Sequence, residues 1–356
     1  METKLLRIKA ENGVFSEQEE QELALAGNIL CQGGLVAFPT ETVYGLGGDA
    51  LNPESSRRIY EAKGRPSDNP LIVHICKFED IYAIVKEVSA EAEKIARAFW
   101  PGPLTMILPK ADKVPYETTG GLDTVAVRFP SHPVARKLIA YGGGYVAAPS
   151  ANTSGKPSPT VAKYVVEDMQ GRIDAIIDGG EVGIGLESTI IDLTVTPPQI
   201  LRPGYITQEM LSEVLGKVEE DVTMLTADSG QAPKAPGMKY RHYAPKGDLT
   251  VVQGAPGKVA EYINENVAVD KKNGQVTGVI ATRETKDAYA ADVVKVVGSR
   301  QDEDSIAKHL YTVLREFDDE KVTRIYSESF DADGFGQAIM NRLLKAAGHK
   351  VIRLDE

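Results

Sequence analysis

Cysteine, tryptophan and long apolar runs are scarce in this chain of 356 residues, which contains two cysteines and one tryptophan. Cys31 and Cys76 cannot form a disulfide framework and their spacing matches no zinc motif, so we expect two small buried side chains in a reducing compartment. No apolar run approaches the roughly 20 residues that span a bilayer. The first residues show no secretory pattern. These absences predict a cytoplasmic protein.

Positive charge is also in deficit, because 40 Lys and Arg stand against 51 Asp and Glu, a formal net charge of −11 at pH 7. Proteins that bind nucleic acid over a wide surface usually have a basic footprint. A polyanion would therefore meet this chain in a local basic pocket, which suits a nucleotide better than a duplex. Walker A spacing, a kinase signature and a His/Cys cluster for zinc are all missing from the sequence.

The order of apolar runs predicts two α/β domains. In residues 1–217 short β-like runs alternate with amphipathic stretches, which is typical of a layered α/β fold. Strands are predicted at 35–38, 71–75, 104–108, 124–129, 145–148, 175–177 and 189–193, and helices at 16–32, 54–63, 89–99 and 133–140.

The remaining residues divide into a linker and a smaller domain. Proline and glycine punctuate 218–247, which predicts a linker that becomes ordered on demand. In 248–356 four strands alternate with three helices, which predicts a small Rossmann-like domain with a parallel sheet. The strands are predicted at 249–252, 276–281, 293–297 and 322–327, and the helices near 257–266, 303–317 and 336–347. This domain lacks a glycine-rich phosphate fingerprint.

Two segments carry hydroxyls, cations and glycines directly beside predicted strands. Residues 39–47 (PTETVYGLG) follow a strand, where α/β sheets bind ligands, although a turn with capping hydroxyls would have the same composition. In residues 63–70 (KGRPSDNP), Lys63 and Arg65 could bind phosphate oxygens and Asn69 could bind a base or sugar. A solvated charged loop is the alternative for this second segment.

Further polar residues lie in or after later strands. Arg128 shares one face of its strand with Thr124 and Ala126, and there it needs a carboxylate from either a ligand or a structural salt bridge. His74 lies among aliphatic residues and fits a core position or a ligand contact. Residues 147–160 are rich in small polar residues, which indicates an anion nest or a serine-rich loop. No serine nucleophile with a histidine partner is evident, so catalysis by positioning and electrostatics is expected.

Several of these segments together resemble a known family. The runs at 39–47, 63–71 (KGRPSDNPL), 101–105 (PGPLT), 148–152 (APSAN) and 187–190 (ESTI) are similar to those of the YrdC/Sua5 family. Residues 235–240 (APGMKY) and 242–245 (HYAP) resemble the linker of its long Sua5 branch. The resemblance covers essentially the whole chain. It implies a YrdC-like domain at 1–217, with an open, twisted mixed sheet around a basic cavity, a linker or lid at 218–247 and a Sua5 C-terminal domain at 248–356.

Members of this family are threonylcarbamoyl-adenylate synthases. The resemblance therefore implies an enzyme, a nucleotidyltransferase that joins L-threonine, bicarbonate and ATP and releases pyrophosphate. The product supplies the threonylcarbamoyl group of t6A at position 37 of tRNA, by way of a separate transferase machinery. Mg²⁺ is expected with ATP, without protein side chains as metal ligands, and the acidic composition argues against stable direct binding of tRNA.

The resemblance also implies the site residues. Seven are expected to contact ATP, and five to form the threonine pocket, where Arg128 would pair with the threonine carboxylate. The ATP set is Arg65, Asn69, Thr124, Ser150, Ser158, Arg202 and Tyr243; the threonine set is Thr42, His74, Arg128, Ala148 and Ser188. Lys63 and Arg65 are expected to neutralise phosphate charge, and Thr40 is expected near the site without a defined role. Because Tyr243 lies in the linker, residues 230–245 are expected to close over the cavity.

Three other functions fit parts of the pattern. A non-enzymatic RNA-binding module could use the same basic cavity, although the acidity and the lack of aromatic stacking runs weigh against it. An amino-acid carboxylate adenylase would need no bicarbonate. A hydrogenase-maturation factor shares the first domain, but it would need acylphosphatase and zinc-finger segments, which this sequence lacks.

Overall fold

The protein is described by a computed structural model that covers residues 2–10, 13–221, 235 and 242–354. The chain divides into two compact units. The first consists of Met1–Ser154, Ser158–Gly183 and Glu187–Tyr240, and the second of Gly155–Pro157, Ile184–Leu186 and Arg241–Glu356. Both units are mixed α/β, which confirms the predicted fold class.

The described part of the first unit contains one open mixed sheet of eleven strands. In chain order they are β1 (Lys4–Arg7), β2 (Val36–Phe38), β3 (Gly45–Asp49), β4 (Ile72–His74), β5 (Leu104–Pro109), β6 (Thr124–Arg128), β7 (Val146–Ala147), β8 (Ala175–Asp178), β9 (Thr189–Asp192), β10 (Gln199–Arg202) and β11 (Glu219–Glu220). Their order across the sheet is β1–β8–β2–β3–β7–β4–β6–β5–β9–β10–β11. Strands β4, β6 and β5 therefore lie near the middle of the sheet.

Helices cover the two faces of this sheet unequally. They are α1 (Glu17–Cys31), α2 (Pro53–Lys63), α3 (Ala90–Phe99), α4 (Tyr116–Thr119), α5 (Pro133–Tyr141), α6 (Ala162–Met169) and α7 (Gln208–Leu215), with a 3-10 helix at Phe78–Ala83. The larger apolar core includes α2, α3, α6 and α7 and one face of β4, β5 and β6. The second core joins α1 and α5 to β1, β2, β7 and β8. On that second face, the part of the sheet formed by β4, β6, β5 and β9 carries a small apolar cluster among the described residues.

Glycines explain why part of the run at 39–47 is a strand. No strand was predicted there, but β3 begins at Gly45 and pairs antiparallel with β2. A Cβ at Gly47 would lie 2.8 Å from Val146 Cγ1 and 2.9 Å from Phe38 Cε1. Glycine therefore lets these larger side chains fill the space over β3, and only 39–44 remain as a loop.

The described part of the second unit contains a five-stranded sheet in which every pair of neighbouring strands is parallel. The strands are β12 (Asp248–Gln253), β13 (Thr277–Thr282), β14 (Val293–Gly298), β15 (Arg324–Glu328) and β16 (Val351–Arg353), and the helices are α8 (Pro256–Lys272), α9 (Glu303–Asp319) and α10 (Gly334–Ala346). The strand order β14–β13–β15–β12–β16 fits the predicted Rossmann-like winding. Strand β16 was not predicted, because three residues carry too little periodicity.

Of the two cysteines that were predicted to be buried, one is buried and the other is exposed. Cys76 is buried as expected, but Cys31 is exposed, since it is the last residue of α1 and lies outside the apolar stripe of Leu23, Ala26 and Leu30.

The predicted domain boundaries at 217 and 247 stay predictions, and most of the predicted lid (230–234 and 236–241) lies outside the described residues.

The close approach of Gly204 to β9 gives a test of this fold. A Cβ at position 204 would lie 2.5 Å from the backbone nitrogen of Thr189, which cannot move aside as a side chain could. We expect Gly204→Ala to lower the free energy of unfolding by about 2 kcal/mol, the usual cost of overpacking. Gly183→Ala is the control, because its nearest atom outside the chain neighbours is 3.8 Å away. Equal stability of the two variants in urea unfolding would contradict this packing.

Candidate active site

A row of polar side chains crosses the middle of the first sheet. His74 on β4 pairs in register with Arg128 on β6, and Arg128 pairs with Thr105 on β5. Residues opposite each other on neighbouring strands point to the same face, so the three side chains share one face. All are buried. The hydroxyls of Thr105 and Ser188 are 2.8 Å apart, which extends the row to the start of β9.

The same face carries the small apolar cluster next to this row. Its members are Ile72, Ile107, Ala126, Ile190, Leu201 and Ala235. Val125 and Val127 belong instead to the large core, which confirms the predicted alternation along β6. Ala235, from the segment predicted to form the lid, is completely buried in this cluster. One residue of that segment therefore packs beside the polar row.

Arg128 forms an ion pair with Glu41 from the loop at 39–44. Its Nη2 lies 2.7 Å from Glu41 Oε1, and the two side chains are 5% and 13% exposed. The pair is not aligned as a hydrogen bond, and among the described residues Nε and Nη2 of Arg128 and both Glu41 oxygens have no hydrogen-bond partner. Nε and Nη2 form the edge that can bind a carboxylate through two parallel hydrogen bonds. The buried guanidinium therefore fits a carboxylate ligand.

Thr40 gives the loop that carries Glu41 its shape. Its hydroxyl donates to the carbonyl of Val43 at 2.7 Å and accepts from the backbone N–H groups of Thr42 and Val43. The Thr42 hydroxyl lies 2.9 Å from the Thr40 hydroxyl. Because the Thr40 proton is used by Val43, the Thr42 hydroxyl donates in this contact. Its oxygen can still accept a bond from a ligand.

The two histidines near Arg128 are neutral at physiological pH. Burial, reinforced by the positive charge of Arg128, lowers the pKa of His74 to about 3. The Ile72 carbonyl accepts from its Nδ1 at 3.0 Å. Burial also lowers the pKa of His132, against the opposing effect of Glu41. The positive charge of this region therefore belongs to the guanidinium of Arg128 rather than to an imidazole.

Arg202, at the end of β10, meets the residues that precede β9. Its Nε donates to the Ser188 carbonyl at 3.0 Å, and its Nη2 donates to the Ser188 hydroxyl at 3.2 Å. The adjacent Glu187 accepts from the Ser158 hydroxyl at 2.6 Å. The structure thus brings Ser158, Ser188 and Arg202 together through the short segment Glu187–Ser188.

Lys63 and the segment 150–152 form a second cluster. The Lys63 ammonium, which is 3% exposed, donates to the carbonyl oxygens of Ser150 and Asn152 at 2.5 Å each. The Ser150 hydroxyl donates to Asn152 Oδ1 at 2.6 Å. These bonds favour a role for Lys63 in holding the loop rather than in direct contact with phosphate. Its predicted catalytic role stays a prediction.

Arg65 and Asn69 define the loop after α2. Gly64 ends the helix in the left-handed conformation, with φ of 61°. Arg65 then donates from Nη2 to the carbonyl of Pro70 at 3.0 Å, and from Nε and Nη2 to that of Asn69. The Asn69 side chain is 1% exposed, and its Oδ1 has no hydrogen-bond partner among the described residues. A buried amide oxygen of this kind suits an N–H or O–H donor on a ligand.

The other predicted site residues lie in different surroundings. Ala148 is buried, and its backbone N–H donates to the Ile72 carbonyl at 2.9 Å beside the polar row. Thr124 is partly exposed at the start of β6. Tyr243 belongs to the second unit, where its ring stacks on Tyr311 at a centroid distance of 5.1 Å.

The sequence reasoning missed several residues of these clusters. They are Glu41, Thr105, His132, Asn152 and Glu187. Thr105 could have been found from strand alternation, because β5 places its polar residue opposite Arg128. Glu41 gives no such signal, since its partner Arg128 is distant in the sequence.

The described residues contain neither a candidate metal-binding cluster nor a candidate membrane-spanning helix. Among these residues no group of three or more His, Cys, Asp or Glu side chains could hold a metal ion. Within the same ranges, no helix combines the length and the apolar character needed to cross a bilayer.

Comparison with known proteins identifies the family. A Sua5/YciO/YrdC family model, described as "Telomere recombination", matches residues 28–204, and one described as "Threonylcarbamoyl-AMP synthase, C-terminal domain" matches residues 206–348. The threonylcarbamoyl-AMP synthase of Pyrococcus abyssi is 49% identical over 336 residues, covering 94% of this chain and 97% of the relative. The chain belongs to the Sua5 family.

A further relative and a solved structure agree with this membership of the Sua5 family. The threonylcarbamoyl-AMP synthase of Bacillus subtilis is 47% identical over 335 residues, covering 94% of this chain and 95% of the relative. A crystal structure of P. abyssi Sua5 complexed with L-threonine matches with a TM-score of 0.92 and 46% identity over the full length of both chains. The Sua5 match therefore extends over both α/β units.

The low pKa of His74 predicts a specific pH dependence of stability. Its folded pKa, about 3, lies below the ordinary value of about 6.5. Between these values the unfolded chain binds a proton that the folded chain does not, so stability falls as pH drops below about 6.5 and is unaffected above it. We expect His74→Gln to reduce this slope by about 1.4 kcal/mol per pH unit. Urea unfolding at pH 5.0 to 7.5 measures it, and an unchanged slope would contradict the assignment.

Proposed function

We propose that this chain is an L-threonylcarbamoyladenylate synthase, which converts L-threonine, bicarbonate and ATP to threonylcarbamoyl-AMP and pyrophosphate. The observation that carries the proposal is the buried Arg128 guanidinium, whose Nε–Nη2 edge lacks a hydrogen-bond partner among the described residues, in a Sua5-family chain. A relative with L-threonine bound adopts the same fold. A buried edge of this geometry suits the carboxylate of an amino acid.

The threonine pocket lies along the polar row. The threonine carboxylate pairs with the Arg128 guanidinium, either beside the Glu41 carboxylate or in its place. Thr42 and Ser188 offer hydroxyls on either side, while Ala148 and neutral His74 bound the pocket without adding charge. Neutral imidazoles suit this position, because a second cation would compete with Arg128 for the carboxylate.

The nucleotide occupies the polar clusters beside this pocket. Asn69 has a buried amide oxygen for a base or sugar donor, and Arg65 and Arg202 provide positive charge for the phosphates. The full proposed set is Arg65, Asn69, Thr124, Ser150, Ser158, Arg202 and Tyr243. Lys63 fixes the backbone of Ser150 and Asn152, which places their polar groups for the ligand.

The reaction requires two bond-forming steps. The deprotonated amine of threonine attacks bicarbonate to give a carbamate and water. A carbamate oxygen then attacks the α-phosphorus of ATP, the bond to the bridging oxygen breaks, and pyrophosphate leaves. Arginine side chains stabilise the charge that builds up on the phosphate oxygens, and their fixed positions avoid reorganisation during the reaction.

Mg²⁺ is proposed to enter with ATP. In this proposal, phosphate oxygens of ATP provide its ligands. When bound, the ion supplies further neutralisation of phosphate charge. We propose that the product passes to the machinery that transfers the threonylcarbamoyl group to tRNA, and that this takes place in the cytoplasm.

The function is tested by product formation. Purified protein with ATP, Mg²⁺, L-threonine and bicarbonate is expected to release pyrophosphate and to form threonylcarbamoyl-AMP, detected by mass spectrometry. Arg128→Lys should raise the KM for threonine about tenfold or more, because lysine cannot form the two parallel bonds. Pyrophosphate release without bicarbonate would indicate a carboxylate adenylase instead. Binding of RNA without any release of pyrophosphate would favour the non-enzymatic RNA-binding module.

The Glu41–Arg128 pair predicts a stability change that threonine reverses. Glu41→Gln leaves the guanidinium buried without its counter-charge, so we expect a loss of about 3 kcal/mol in the free energy of unfolding. Bound threonine supplies a new carboxylate, so saturating L-threonine should raise the Tm of this variant more than that of the wild type. Glu87→Gln removes an exposed carboxylate and serves as the control. Equal threonine-induced shifts in Glu41→Gln and the wild type would contradict the shared position.

A further inference from the structure

Helix α9 of the second unit contacts a short segment that comes from the first half of the sequence. Gly155–Pro157 belongs to the second unit. Arg315, which is 4% exposed, donates to the Pro157 carbonyl from Nε at 3.0 Å and from Nη2 at 2.6 Å. Two donors from one cation on one carbonyl oxygen fix the position of this peptide group.

A second such segment, Ile184–Leu186, lies against the same helix. A Cβ at Gly185 would be 2.4 Å from the Cα of Lys308 and 2.5 Å from the carbonyl oxygen of Ala307. Because these are backbone atoms of a helix, they cannot give way. Gly185 also has a φ of 90°, which disfavours larger residues. The segment therefore docks on α9 by direct backbone contact.

Tyr243 is the third element held by α9. Its ring stacks on Tyr311 at 5.1 Å with an angle of 29° between the planes, and Arg342 lies 6.0 Å from its centroid. The adjacent Ala244 donates from its backbone N–H to the Gly155 carbonyl at 2.9 Å. Tyr243 has a φ of 63°, a conformation that non-glycine residues keep only when surrounding contacts impose it. The stack on Tyr311 is a contact of this kind.

The residues of α9 that make these contacts lie on one face. With about 100° of rotation per residue, Ala307, Lys308, Tyr311 and Arg315 fall within an arc of about 100°. Val313 points to the opposite side. One helix face therefore holds three separate chain segments.

We propose that this face of α9 is a positioning element for the nucleotide site. Pro157 immediately precedes Ser158, and Leu186 precedes Glu187, which accepts from the Ser158 hydroxyl. Tyr243 is itself a proposed ATP contact. Arg315 and Tyr311 thus act on ATP through the segments they hold, without touching it. The inference rests on the proposed function for the identity of the ligand, and it gives the C-terminal domain a defined task.

The test measures nucleotide affinity separately from turnover. Arg315→Met removes the bonds to Pro157, and Tyr311→Leu removes the stack on Tyr243. We expect each to raise the Kd for an α,β-methylene ATP analogue about tenfold, as for a loss of about 1.4 kcal/mol, while the Kd for L-threonine changes less than twofold. Tyr311→Phe keeps the stacked ring and should bind the analogue as the wild type does.

Val313→Ala controls for general destabilisation, because it removes buried volume from the same helix on the opposite face. An unchanged Kd for the analogue in Arg315→Met and Tyr311→Leu would overturn the inference. An equal rise in Val313→Ala at a similar loss of Tm would also overturn it. The proposed function fails by a different result, the absence of threonylcarbamoyl-AMP from reactions of the wild-type chain, so the two failures are distinguishable.

Discussion

A guanidinium buried in the middle of a β-sheet is the constraint on which the rest of the site depends. Arg128 lies on β6, between β4 and β5, and its side chain is 5% exposed. A buried charge of this kind is strongly destabilising unless it is compensated. Glu41 supplies the compensation from a loop, so the position of the whole 39–44 segment is tied to one strand residue. The low pKa of His74 has the same origin, because burial and the nearby positive charge both favour its neutral form.

Cations in this structure are repeatedly used to hold backbone rather than to face solvent. Lys63 binds the carbonyls of Ser150 and Asn152, Arg65 binds those of Asn69 and Pro70, and Arg315 binds that of Pro157. Loops rich in proline, glycine and serine have few internal hydrogen bonds of their own. A charge-assisted bond to a carbonyl is stronger than a neutral one, so these cations fix loops that would otherwise have many conformations.

Contacts of this kind also limit what can be predicted from the sequence, because they join residues that are far apart in the chain. Strand alternation correctly places Arg128 and Ala126 on one face and Val125 and Val127 on the other, because that pattern is local. The α/β class and most of the longer helices are predicted for the same reason. Lys63 is predicted to neutralise phosphate charge, because two cations separated by one glycine suit phosphate oxygens, and this stays a prediction. Its three-dimensional partners are 87 and 89 residues away, and no local pattern indicates them.

Glu41 and α9 also contact residues that are far away in the sequence, so local patterns do not predict these contacts. In the proposed threonine pocket, Glu41 must leave enough of the Arg128 guanidinium available for the threonine carboxylate. A contact at Nη2 alone, without hydrogen-bond alignment, meets this requirement. A fully aligned pair with two hydrogen bonds would be more stable and would compete more strongly with the proposed ligand. The contact between Glu41 and Arg128 depends on the geometry of the folded site, which the periodicity of the sequence does not predict.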